Sequence, residues 1–289
     1  MSFSELLARD AGLIQARLDQ ALAGKADLPV VHAMRYAVQG GKRLRGFLVL
    51  DSARMLGVGE SRAIAAAAAI EALHAYSLIH DDLPSMDDDD LRRGQPTVHV
   101  KWDEATAVLA GDALQTLAFE LLCDAALGSA EVRMALVSGL ARASGAEGLV
   151  LGQALDIAAE TAVVPLSLDQ ITTLQAGKTG ALIKWAAQAG AVIAGADAGP
   201  LGRYANALGL AFQIADDILD VTGDAAVAGK RLGKDAAAGK ATFVSLLGLD
   251  GARARAKALV TEAEAALLPY GAAAENLIAA ARFVIARDS

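Results

Sequence analysis

The chain has 289 residues, 54% hydrophobic and only 4% aromatic, with 34 acidic and 26 basic side chains and a formal net charge of -8. This length accommodates a large core, the Ala- and Leu-rich composition favours closely packed helices, and the negative charge excludes a general nucleic-acid binder. A single cysteine, Cys123, excludes an internal disulfide and fits a reducing, cytoplasmic compartment.

The opening stretch "MSFSELLARDAGLIQARLD" interleaves Glu5, Arg9, Asp10, Arg17 and Asp19 with apolar positions, which predicts an amphipathic helix and not a signal peptide. Farther on, "AIAAAAAIEAL" and "GALIKWAAQAGAVIAG" contain Glu71 and Lys184. Both fall short of the roughly 20 apolar residues that span a bilayer, so a soluble chain without a membrane span is expected. Leu109, Ala113, Leu117 and Leu121 recur at helical spacing, as do Leu208, Phe212, Ala215 and Leu219, while all six prolines sit between or at the ends of such stretches. Nothing alternates like a strand. The expectation is an all-α bundle of about ten helices, one domain over residues 1–289.

Two stretches break the apolar pattern with concentrated negative charge. "DDLPSMDDDD" (81–90) has Pro84 at its centre, so Leu83 is disfavoured as helix and the chain is free to turn Asp87 back toward Asp81. "DDILD" places Asp216 and Asp220 one helical turn apart, about 6 Å along the axis, so both carboxylates leave one face. Like charges at that spacing repel, and a cation between them relieves the repulsion. Such hard oxygen ligands suit Mg2+, which takes one or two carboxylates and completes its shell with water and phosphate. A solvated acidic run is the plain alternative, and it fits Asp88, Asp89 and Asp90.

A phosphorylated partner requires cations elsewhere. "GGKRLRG" supplies Lys42, Arg43 and Arg45 after paired glycines, Arg92 and Arg93 follow the first acidic run, and Lys178 and Thr179 lie in "GKTGALI". Lys230, Lys234 and Lys240 lie in a glycine-rich stretch that also reads as a solvated loop. "GKTG" is no Walker loop, because Thr172 stands where that motif requires glycine. His74 and His80, on an apolar helix, read as core histidines.

In order, "GGKRLR", "HAYSLIHDDLPSMDDDDLRRGQPTVH", "GDALQTLAFELL", "GKTGALI" and "FQIADDILD" closely resemble the trans-prenyltransferases, or polyprenyl synthetases, and among them the bacterial farnesyl diphosphate synthases. The resemblance runs from about residue 30 to the C-terminus. It implies an all-helical, homodimeric fold around a deep cavity, with the two acidic motifs facing each other across its mouth. By motif, Asp81, Asp82 and Asp87 bind Mg2+ from one wall and Asp216, Asp217 and Asp220 from the other, with three ions clamping an allylic diphosphate. Gly41, Lys42, Arg45, His74 and Arg93 are implied at isopentenyl diphosphate; Arg92, Lys178, Lys230 and Lys240 at the allylic diphosphate. The Lys178 carbonyl, Thr179 and Gln213 are implied to stabilise a carbocation. Tyr76 and Ser77, just before the first motif, are implied to floor the cavity and set a fifteen-carbon product, with geranylgeranyl or geranyl synthesis, or a noncatalytic partner subunit, as alternatives. Gly46 stands where relatives commonly have Pro, which predicts a less rigid turn, and "KATFV" also departs from the common pattern.

Overall fold

The structure, a computed structural model, describes residues 1–162, 164–222 and 241–286. Helix α1 (Phe3–Leu22) starts at a reciprocal cap in which Ser2 accepts from the Glu5 backbone and the Glu5 carboxylate accepts from the Ser2 backbone. Helices α2 (Pro29–Ala37), α3 (Leu44–Met55) and α4 (Glu60–Asp81) follow. A two-stranded hairpin, β1 (Leu91–Arg92) with β2 (Gln95–Pro96), is the only sheet among the described residues. Then come α5 (Val98–Lys101), α6 (Glu104–Leu122), α7 (Ala130–Ser144), α8 (Leu149–Glu160) and α9 (Leu168–Gln175). A single π-turn, Ala176–Gly180, joins α9 to α10 (Ala181–Ala194). The order ends with α11 (Gly199–Thr222), α12 (Phe243–Ala266) and α13 (Glu275–Ile285). The all-helical class expected from the periodicity is what the fold shows; the helix count exceeds ten because short pieces such as α2 and α5 carry too few residues for a periodic signal.

Helix α4 is the axis of the bundle, packing on α1, α3, α6 and α10. Ala66, Ala67, Ala68, Ala69 and Ala72 are fully buried along it. Small side chains let four neighbours approach at once, and each fully buried Leu or Ile around them contributes roughly 1.5–3 kcal/mol. One departure from expectation concerns hydropathy. Glu60–Asp81, Glu104–Leu122 and Ala130–Ala159 are, by length and composition, apolar enough to cross a bilayer. The sequence reading judged shorter runs against a span of about 20 apolar residues, whereas mean hydropathy over a longer stretch tolerates one or two charges. For α4 the apolar character has another destination, since 78% of its window lies inside the protein.

Candidate active site

The first acidic run closes α4. Its last helical residue is Asp81, after which the chain turns back: the Asp87 backbone N–H donates to the Asp81 carbonyl at 2.8 Å and that of Asp89 to Asp82 at 3.2 Å. The return passes through Asp88 at φ 50°, a left-handed position that Asp tolerates better than most residues. The turn that Pro84 permits therefore does bring Asp87 beside Asp81. Burial pushes the Asp81 carboxyl up to about 6, nearby Lys178 works the other way, and the Asp87 charge adds to the rise. Desolvation outweighs the attraction of Lys178 and Arg92 at this carboxyl. Asp82 points elsewhere. It is 3% exposed, and Arg92 Nε donates to its two oxygens at 2.8 and 2.9 Å.

Beside this wall lies a cluster of cations. Gly40 and Gly41 take φ values of 71° and 81°, and Arg43 follows in the left-handed region at 53°. That sharp path turns Arg43 inward, where it donates to the Val38 carbonyl and to Gln15 Oε1 and faces Glu71 at 3.5 Å. Lys42 stays exposed. Arg45 reaches His74, Nη1 to Nε2 at 3.2 Å, while its buried Nε has no hydrogen-bond partner. Burial, together with the charges of Arg45, Arg93, Arg92 and Arg43, holds His74 well below its usual range, so the imidazole is neutral and accepts from Arg45. Desolvation lowers Arg93 too, with Arg43 and Arg92 adding repulsion. A Cβ on Gly41 would press into the Arg93 guanidinium at 2.8 Å, so only glycine lets that arginine cover the loop. Cations crowded in this way attract an anion.

Gly46 corrects the sequence reading. It lies inside α3, is buried, and its N–H donates to Glu71 Oε1 at 2.8 Å. A proline there would forfeit that bond; the glycine is tightly packed and not a loose turn.

The opposite wall is built by the π-turn and α11. The extra residue of the π-turn exposes Lys178, whose Nζ lies 2.7 Å from Asp156 on α8. Thr179 Oγ1 donates to Gln213 Oε1 at 3.2 Å, and Gln213 Nε2 donates to Asp217 Oδ1 at 3.1 Å. Asp217 Oδ2 accepts from the Phe243 N–H at 2.8 Å, so this buried aspartate also ties α11 to the start of α12. Asp216 and Asp220, partly exposed, leave α11 without being buried in that way. The walls sense one another: Lys178 acts on Asp81, and Asp216 acts on Arg45. Residues of both acidic motifs thus lie within electrostatic reach of the Lys178 and Arg45 cations.

Tyr76 lies between α4 and α6, 9% exposed and edge-on to His80 with centroids 5.1 Å apart, and Asp112 and Gln115 of α6 both influence its hydroxyl. Ser77 donates to the His74 carbonyl at 2.9 Å. His80, expected to be structural, faces the Val108 carbonyl at 3.1 Å in the space left by Gly111. Lys230, Lys234 and Lys240 lie outside the described residues.

The sequence reading missed three polar side chains. Glu71 holds Arg43 and Gly46. Asp156 anchors Lys178, and Gln153 beside it is 8% exposed with both polar atoms unpartnered. Their signal was "GQALD", a polar pair at i and i+3 on an apolar helix. Among the described residues no three His, Cys, Asp or Glu side chains enclose an ion-sized space. The acidic side chains offer only hard oxygen donors, the kind that Mg2+ takes together with water and phosphate.

The all-helical single bundle is of the isoprenoid-synthase class of folds. A solved FPP/GFPP synthase from Zymomonas mobilis superposes with a TM-score of 0.90 at 45% identity, covering 98% of both chains. A geranyltransferase from Helicobacter pylori, complexed with magnesium and isoprenyl diphosphate, superposes with a TM-score of 0.87 at 37% identity, covering 99% of this chain and 98% of that one. The farnesyl diphosphate synthase of Escherichia coli is 54% identical over 247 residues, 83% of this chain and 82% of the relative. The polyprenyl synthetase profile matches residues 29–266. The chain therefore belongs to the polyprenyl synthetase family and is a prenyltransferase.

Proposed function

We propose that the chain is a farnesyl diphosphate synthase, joining isopentenyl diphosphate head-to-tail first to dimethylallyl and then to geranyl diphosphate. The observation that carries this reading is the set of contacts that holds the family's motif residues in place: the Asp87 N–H on the Asp81 carbonyl at 2.8 Å, Arg45 Nη1 on His74 Nε2 at 3.2 Å, and Thr179 Oγ1 on Gln213 Oε1 at 3.2 Å. Asp81 and Asp87 of the first motif, and Asp216 and Asp220 of the second, would hold the Mg2+ ions, three by resemblance to the family. Asp82 and Asp217 have both oxygens occupied by protein partners, so they join that shell only if those bonds open. When bound, the metal offsets charge on the departing diphosphate.

The protein's own groups do the rest. Arg92 and Lys178, with Lys230 and Lys240 by resemblance, take the allylic diphosphate; Gly41, Lys42, Arg45, His74 and Arg93 take that of isopentenyl diphosphate. The allylic C–O bond breaks with its electron pair leaving on diphosphate. The Lys178 carbonyl, the Thr179 hydroxyl and Gln213 face the cation that remains. The isopentenyl double bond attacks it, a new C–C bond forms, and the proton lost goes to the released diphosphate. Apolar walls matter because water quenches the cation.

Val108 and Leu109 on α6, Met134 on α7, and Val150, Leu151 and Leu155 on α8 are exposed, an apolar surface that supports a homodimer. We place this assembly in the cytoplasm and treat residues 1–289 as one domain. Purified chain incubated with dimethylallyl and isopentenyl diphosphates and Mg2+ is expected to release a fifteen-carbon diphosphate, and EDTA to abolish turnover. Turnover that survives EDTA, or none at all from the chain alone, defeats the proposal.

A further inference from the structure

The two arginines that follow the first acidic run are carried by a very short hairpin. Its strands pair two residues each, Leu91 with Pro96 and Arg92 with Gln95. A hairpin of this size is not stable by itself, and Pro96 has no N–H to give the opposite strand. The turn adds strain. Arg93 and Gly94 take φ values of 53° and 72°, a left-handed pair that suits a two-residue hairpin turn but that arginine, unlike glycine, adopts at a cost. A cavity of about 130 Å³ lies between the hairpin, α2 and α4, lined by Tyr36, Leu78, Ile79, Arg92 and Pro96, so the hairpin is not packed continuously from beneath.

Contacts with its neighbours hold it instead. On the first strand, Arg92 is tied to Asp82 of α4. On the second, the Tyr36 hydroxyl of α2 donates to the Pro96 carbonyl at 2.8 Å. The chain that follows the hairpin fixes the Tyr36 ring in turn: Trp102 lies edge-on with centroids 5.4 Å apart, and the Lys101 ammonium lies 3.7 Å from the Tyr36 centroid. Three residues beyond Tyr36, the Gln39 carbonyl accepts from Arg93 Nη1 at 3.4 Å. The end of α2 thus meets both the second strand and the arginine at the turn. Arg93 needs such a hold, because Arg43 and Arg92 repel it and its backbone is strained.

We propose that Tyr36 is a positioning residue for Arg93: through the Pro96 carbonyl it fixes the hairpin, and so keeps the guanidinium over the glycine loop for the diphosphate of isopentenyl diphosphate. This rests on the reading that Arg93 binds that substrate. The allylic side is spared, because Arg92 has its own tie to α4.

Steady-state kinetics with each substrate varied in turn tests it. Tyr36→Phe keeps the ring, and with it the Trp102 and Lys101 contacts, and removes the hydroxyl alone. It is expected to raise KM for isopentenyl diphosphate about two- to fivefold, the size of one exposed hydrogen bond. KM for the allylic substrate and kcat should hold, and in an Arg93→Met background Tyr36→Phe should change nothing further. An unchanged KM in Tyr36→Phe, with Arg93→Met raising it, overturns the proposal and leaves the Arg93 reading standing. An unchanged KM in Arg93→Met overturns both. A rise in both KM values, or one that persists in the Arg93→Met background, assigns Tyr36 a purely structural part and also overturns it.

Discussion

Tyr76 shows how one side chain serves both packing and specificity. It sits five positions before Asp81, more than one helical turn below the acidic wall, with its hydroxyl influenced by Asp112 and Gln115 of α6. Trimming it to Ala removes the ring and deepens the space beneath the acids. We therefore expect Tyr76→Ala to shift products from fifteen toward twenty carbons; chromatography that still finds only fifteen removes Tyr76 from the role of chain-length stop. The two members of each "DD" pair behave differently for a reason that spacing alone does not reveal. Adjacent residues on a helix point about 100° apart, so the second member of each pair meets a different set of neighbours from the first. Asp82 turns to Arg92, and Asp217 to Gln213 and the Phe243 N–H.

At the scale of elements, the contact between α8 and the π-turn decides where Lys178 and Thr179 stand. Gly152 of α8 meets this turn so closely that an added Cβ would overlap the backbone nitrogen of Lys178, and Gly177 approaches Gly148 and Gly152 in return. Backbone cannot yield as a long side chain can. Gly152→Ala is expected to cost about 1–3 kcal/mol of stability, as overpacking does, and to lower kcat on the order of tenfold because the π-turn carries Lys178 and Thr179 with it. Denaturant melts and turnover measured together check this; a variant of parent stability and rate shows that the turn is not held there. The same element gives "GKTG" its place in the fold. Its meaning is geometric: the π-turn offers Lys178 to Asp156 and Thr179 to Gln213, and no local motif announces a wide turn between two apolar helices.

At the scale of the molecule, a buried ionic cluster joins both ends of the chain. Arg54 of α3 donates to Asp10 of α1 at 3.1 and 3.2 Å and to Asp51 at 2.5 Å, while Asn276 of α13 donates to Asp51 as well. Burial raises both carboxyls above their ordinary value despite the attraction of Arg54. Because the folded state keeps these protons to higher pH than the unfolded chain, which releases them near ~4, this contribution to stability is present at low pH and declines as pH rises through the folded pKa. Asp51→Asn removes one titrating group, so the stability of the parent relative to the variant should fall as pH rises above the ordinary carboxyl range; parallel curves in thermal melts refute this. What the sequence determined by itself was the helical class and the chemistry of the acidic and basic motifs, because 3.6-residue periodicity, proline placement and runs of like charge are local quantities. The tertiary structure alone decided which of those charges meet. Asp81 feels Lys178 only because the fold brings α4 and the π-turn together, and Tyr36 reaches Pro96 only because α2 lies against the hairpin. Contacts between residues distant in the chain follow from how whole helices pack, which no single stretch encodes.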